Sequence, residues 1–117
     1  MTSQTWGGQS EFRYKGSALK GTQISWKDKS ADAGWSKPIL VTAEQYRGML
    51  SHFSGQTVEV GHYPTPPRGS LEDWLKETYD QWGLTSYIPA ILIKEGYAAR
   101  APALPGHRAQ RLHFISN

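Results

Sequence analysis

Apolar and polar positions alternate with a period of two near the start of the chain. Phe12 and Tyr14 alternate with Arg13 and Lys15, and Thr22, Ile24 and Trp26 alternate with Gln23, Ser25 and Lys27. A half-buried strand has this period, so the pattern predicts two strands joined by a turn around Gly16 and Ser17. The polar run 27–34, KDKSADAG, reads as a loop. Trp35 to Val41 supplies a third short strand, in which Pro38 lacks an amide donor and belongs at an edge or at the strand's start.

From Thr42 the period changes to that of a helix. Thr42-Ala43-Glu44-Gln45 is a capping box, and Tyr46, Met49, Leu50 and Phe53 fall at i, i+3, i+4 and i+7, one apolar face. Gly55 is placed as the left-handed stop. Gly48, inside the helix, costs ~1 kcal/mol relative to Ala and marks a place for a close backbone contact. Thr57, Val58 and Val60 make a short strand, followed by a connection over 62–69, HYPTPPRG, that its prolines stiffen. Ser70 caps a second helix with the buried stripe Leu71, Trp74, Leu75, Tyr79 and Trp82 and a stop at Gly83. Leu84 and Thr85 separate that glycine from Ser86, the expected cap of a third helix. Pro89 sits in its first turn, and it runs to about Glu95 and Gly96. Tyr97 to Ala101 and Arg108 to Ile115 form a closing hairpin with Pro105 and Gly106 at its turn. Leu112 and Phe114 point to one side of it, Arg111 and His113 to the other.

Composition narrows what such a chain can be. A length of 117 residues fits one domain, with a strand-rich part over 1–41 and a helical and hairpin part over 42–117. The chain is 38% apolar with five Trp and six Tyr, which is core material enough without disulfides. The absence of cysteine excludes a disulfide framework, thiol catalysis and a cysteine-based zinc site. MTSQTWGGQS carries no basic start followed by an apolar run, and nowhere do 18 apolar residues follow one another, so no signal peptide or membrane span is expected and a cytoplasmic protein is. The net charge of +3 is unevenly spread: residues 1–40 carry six Lys/Arg against three acids, 70–93 four acids against one base, and 94–117 four bases against one acid. Two basic ends therefore flank an acidic helix.

Read from Thr42, the order helix, strand, helix, turn, helix, hairpin resembles the winged helix-turn-helix domains of DNA-binding regulators. Ser70 to Trp82 stands in the place of the first helix of the pair, Gly83 and Leu84 are the turn, Thr85 to Glu95 takes the place of the recognition helix, and Gly96 to Arg100 leads into the wing. In that family the second helix enters the major groove while the wing touches phosphate or the minor groove. The resemblance implies that Thr85, Ser86, Tyr87 and Lys94 face duplex DNA, helped by Arg100, His107, Arg108 and Arg111 from the wing. Ile88, Pro89, Ala90, Ile91, Leu92 and Ile93 leave almost no polar side chain to read base edges. The wing is therefore expected to contribute more than the helix.

Other chemistries leave weaker marks. No two of the four histidines stand at i, i+4 on a helix, and although His52 and His62 have a short connection, no carboxylate has diagnostic spacing to either, so no metal or other cofactor is expected. Walker, GxGxxG and GxSxG motifs are absent, and Glu59 and Asp80 lack a visible catalytic partner. Trp26, Trp35, Tyr63, Trp74 or Trp82 is a possible wall for a small or cationic ligand, with Trp6 and Trp35 the more exposed tryptophans by their surroundings. The expectation is an α+β fold in which N-terminal antiparallel strands pack with a winged-helix-like unit. The leading function is a small nucleic-acid-binding or regulatory protein. Behind it stands a non-enzymatic, homodimeric protein- or ligand-binding module that uses the same topology for packing, and an enzyme comes third.

Overall fold

The computed structural model describes residues 2–4, 11–27, 34–61, 65–81, 83–102, 105–106 and 110–116. The fold is α+β, with two antiparallel sheets and three α-helices among the described residues. The first sheet is a meander of β1 (Thr2–Gln4), β2 (Glu11–Ser17), β3 (Gly21–Trp26) and β4 (Ile39–Thr42), in that spatial order. Phe12, Tyr14, Thr22, Ile24 and Val41 are buried on its inner face, as the alternation predicts. β1 has no alternating pattern of its own and exists as the partner of β2, Ser3 opposite Phe12. The third predicted strand begins later than expected: Trp35 makes an isolated bridge to Lys27, and regular pairing starts at Ile39, after Pro38. The turn between β2 and β3 needs glycine at Gly16, where φ is +90° and a Cβ would collide with the Gly21 carbonyl oxygen.

Helix α1 (Ala43–His52) opens with the predicted capping box: the Gln45 amide donates to Thr42 Oγ1 at 3.1 Å and the Thr42 amide to Gln45 Oε1 at 2.8 Å. The close approach anticipated at Gly48 is to aromatic side chains rather than to backbone, since a Cβ there would lie 2.5 Å from Tyr79 Oη and 3.7 Å from the Trp74 ring. Helix α2 (Leu71–Tyr79) has its cap at Ser70, whose Oγ accepts from the Asp73 amide at 3.2 Å. It ends earlier than the apolar stripe suggests, at Asp80, which takes a left-handed conformation with φ 54°; the Asp80 amide donates to the Lys76 carbonyl and the Gln81 amide to the Leu75 carbonyl. Gly83 then starts a 3-10 turn over Leu84–Ser86, and helix α3 (Ile88–Lys94) follows from Tyr87, so Ser86 lies within the turn instead of capping the helix. Among residues named from the sequence, Trp6, Tyr63, Trp82 and His62 lie outside those described.

The second sheet has the order β5 (Thr57–Glu59), β7 (Arg111–Phe114), β6 (Ala98–Ala101), so the strand between α1 and α2 pairs with the closing hairpin. One core joins both sheets. Helix α1 reaches the first sheet through Tyr46, whose hydroxyl lies 2.7 Å from Thr22 Oγ1. It reaches the second through Phe53, whose ring stacks on Phe114 at 5.0 Å. Among the described residues no helix is long and apolar enough to cross a membrane.

Burial raises the Tyr46 phenol far above its ordinary value of 10.0, against the opposing effect of the Thr22 hydrogen bond, and Tyr14 is raised in the same sense by burial and by the nearby Glu95 charge. Both phenols therefore keep their protons in the fold at pH values where they ionise in the unfolded chain. Above pH 10.0 the folded state binds more protons than the unfolded one, so stability falls as pH rises. Tyr46→Phe is expected to make that alkaline decline shallower. At neutral pH the same variant should cost about 1–3 kcal/mol, because the Thr22 hydroxyl loses its partner. Urea unfolding followed across neutral and alkaline pH reads both effects. Thr42→Ala should cost about 1 kcal/mol at any of these pH values, through the lost cap.

Candidate nucleic-acid interface

Helix α3 takes its place from contacts at both ends. At its start the Tyr87 ring lies against Trp26, stacked at 5.4 Å and 5°, and against Phe12 at 5.1 Å. At its end the Glu95 carboxylate accepts from the Ala18 amide at 2.9 Å and from the Tyr14 hydroxyl at 3.2 Å. The β2–β3 hairpin is thus fastened to the helix by aromatic packing at one end and by charge-assisted hydrogen bonds at the other. Ile88, Pro89, Ile91 and Leu92 are buried between, and Ala90 and Ile93 are half-buried. The inner face of the first sheet needs an apolar partner, and this helix supplies one.

The turn before α3 is held just as firmly. Buried Glu72, in the first turn of α2, accepts from the Gly83 amide through Oε1 at 2.6 Å. This spends one of the acidic side chains that make the middle of the chain negative. Asp73 accepts from the Gly69 amide at 3.0 Å, and Glu77 pairs with Lys76 at 3.3 Å. Three of the four acids on this stretch are therefore engaged within the fold.

These contacts sort the residues that the sequence pattern assigned to a nucleic-acid surface. Thr85 is 6% exposed, and Tyr87 is half-buried in the aromatic group just described, so both are taken up by packing. Ser86 and Lys94 are exposed. In the wing, Arg100 is exposed and Arg111 is half-buried, with its Nη1 donating to the Pro102 carbonyl at 3.2 Å. His107 and Arg108 lie outside the described residues.

The register of the wing separates its two described arginines. Arg100 pairs with Leu112, and cross-strand partners share a face, so Arg100 leaves from the side of Leu112. Arg111 leaves from the other side, with His113, and opposite Glu59 of β5. On that face His113 Nδ1 lies 2.8 Å from Thr57 Oγ1. The described part of the β6–β7 hairpin therefore carries one arginine on each face of the sheet.

Among the described residues no group of three His, Asp or Glu is placed to hold a metal ion. His52 stacks on Trp74 at 5.2 Å, and Trp74 also meets Phe53 and Tyr79, so that tryptophan belongs to an aromatic cluster. Trp26 is covered by Tyr87. Trp35 is half-buried, and its ring already carries a cation, the Arg13 guanidinium 4.4 Å from its centroid. Arg13 and Lys15, on the outer face of the first sheet, were not singled out from the sequence as functional. Their signal was present: they occupy the outward positions of a strand whose other positions, Phe12 and Tyr14, are plainly apolar.

No protein-family model, curated protein or solved structure matches the chain.

If α3 is a core element fastened through Glu95, neighbouring residues at its end should differ sharply in their effect on stability. Glu95→Ala should cost about 1.5–3 kcal/mol through its two charge-assisted hydrogen bonds. Lys94→Ala should change stability by less than about 0.5 kcal/mol, as an exposed substitution. Thermal or urea unfolding of the two variants tests this, and equal effects would refute the fastening.

Proposed function

We propose that the protein is a small nucleic-acid-binding or regulatory protein whose wing hairpin touches the phosphate backbone of duplex DNA. The observation that carries the reading is the wing itself, a β-hairpin with Arg100 on one face and Arg111 on the other. Arginine side chains on a hairpin suit phosphate oxygens, which they meet through charge-assisted hydrogen bonds. Further support comes from the element order from α1 to β7, helix, strand, helix, helix, hairpin, which is the order the winged-helix resemblance implies, and from Glu72 of α2, whose buried carboxylate is taken up by the Gly83 amide. Lys94 and Ser86 adjoin as exposed polar positions of α3 and its leading turn. His107 and Arg108 complete the proposed contact set on sequence grounds. Base reading by α3 has no support in its buried apolar side chains, so binding is expected to depend on phosphate and shape more than on sequence.

Gel retardation or fluorescence anisotropy with duplex DNA at low salt tests the reading. Binding should weaken steeply as salt rises, because each neutralised phosphate releases counterions. Arg100→Ala and Arg111→Ala should each weaken binding and reduce the log–log salt slope by about one. Duplex DNA left unshifted at low salt would end this reading.

A second reading, a homodimeric interaction module, is favoured by one feature of β4. It is an edge strand, with Leu40 57% exposed and Ile39 37% exposed on opposite faces. An apolar edge with an unpaired row of backbone groups suits antiparallel pairing with a second copy across a two-fold axis. Sedimentation equilibrium should then give twice the chain mass of 13.1 kDa, and Leu40→Lys should return it to the single value. A monomer at high concentration would end the dimer reading.

A further inference from the structure

The outer face of the first sheet carries a pocket that the wing reading does not use. It has a volume of about 210 Å³ and is lined by Arg13, Tyr14, Lys15, Gln23, Ser25 and Pro38. Pockets for drug-sized ligands run to roughly 300–1,000 Å³, so this one suits a single small group or the head of a larger molecule. Tyr14 contributes to its wall while its hydroxyl is turned to Glu95 on the inner side.

The strand register explains why the polar side chains converge. Arg13 pairs with Ser25 and Lys15 with Gln23, so the four side chains form a two-by-two block on one face. Cross-strand neighbours in such a block stand about 5 Å apart at Cβ, and i, i+2 neighbours along a strand about 7 Å. All four side chains carry N–H or O–H donors, two of them are cations, and no carboxylate lines the pocket. Glu11, the next outward residue on β2, is occupied by Lys27 at 3.4 Å. Among the described residues, the side chains of Lys15, Gln23 and Ser25 make no hydrogen bond or ion pair. Ser25 is only 5% exposed, yet it lines the pocket.

Arg13 is also held in place. Its guanidinium lies over the Trp35 ring at 4.4 Å, and Trp35 is itself positioned by the bridge to Lys27 and by the Ser36 contacts with the Trp26 backbone at 2.8 and 3.1 Å. Stacking on an aromatic face restrains the guanidinium while leaving its edge N–H groups available to an acceptor. A basic sheet face that only meets solvent does not require its arginine to be stacked beside a partly covered hydroxyl.

We infer that this pocket binds a phosphate group, free or esterified in a small molecule, with Arg13 and Lys15 supplying charge and Ser25 and Gln23 supplying neutral donors. A tetrahedral oxyanion matches the donor set in number and in sign. The inference is independent of DNA binding by the wing.

Two-dimensional amide NMR of the intact chain, titrated with inorganic phosphate and separately with a 5′-mononucleotide, tests it. Saturable shifts are expected at the amides of Arg13, Lys15, Gln23 and Ser25 and at the Trp35 indole N–H. The double variant Arg13→Gln/Lys15→Gln should weaken binding about tenfold or more while keeping the dispersed spectrum of the folded chain. Arg13→Lys, which keeps the charge but not the planar fork, should bind in between. Tighter binding of the mononucleotide than of phosphate places the source in a nucleotide, whereas equal binding places it in the free oxyanion. Shifts that do not saturate, that sodium chloride reproduces at matched ionic strength, or that persist unchanged in the double variant would overturn the inference.

Discussion

The placement of the β2–β3 hairpin on helix α3 is the constraint on which the rest of the structure depends. Glu95 holds the backbone of Ala18 and the hydroxyl of Tyr14, while Tyr87 holds Trp26 and Phe12, so one short helix is clamped to the first sheet at both ends. The helix is only seven residues long. At that length a helix has little stability of its own and persists through packing. With Ile88, Ile91 and Leu92 buried on it, α3 joins the two sheets into one core instead of offering a face to a partner.

That choice moves the available chemistry outward. Where an element order of this kind leads one to look for a reading helix, the polar groups left at the surface are Ser86 and Lys94. Among the described residues, positive charge instead lies on sheets, in the β6–β7 hairpin with Arg100 and Arg111 and on the outer face of the first sheet with Arg13 and Lys15. Both are built on strand registers rather than on helix faces. Backbone phosphates and small oxyanions are recognised by charge and donor geometry without reading a base edge, and both proposals draw on that chemistry.

The two aromatic clusters show how the tryptophans divide between structure and surface. Trp74 meets His52, Phe53 and Tyr79, and Trp26 meets Tyr87, which fits aromatics at regular spacing packing into a core. Trp35 lies in irregular sequence just after a polar run, and it is the one of these three whose ring carries a cation from its own chain. The approach at Gly48 follows the same logic, because the room left by its missing side chain lies beside Tyr79 and Trp74 of the neighbouring helix.

Much of the fold was legible in the sequence because its signals are short-range. Alternation in β2 and β3, the capping box at Thr42, the Ser70 cap and the apolar run of α3 act within a few residues, and each element appears close to where its pattern lies. Element ends were less legible, since Asp80 rather than Gly83 stops α2 by taking a left-handed conformation, and Tyr87 rather than Ser86 precedes α3, under tertiary contacts with Trp26 and Phe12 that propensity does not contain. The candidate sites were legible only in part. That Arg13 and Lys15 point outward follows from period two, and so does the outward turn of Arg111. That Arg13 sits over Trp35, that Arg100 and Arg111 leave opposite faces, and that Thr85 and Tyr87 are covered depend on pairing register and on sheet-to-helix packing. Those are contacts between residues far apart in the chain, and only the folded structure decides them.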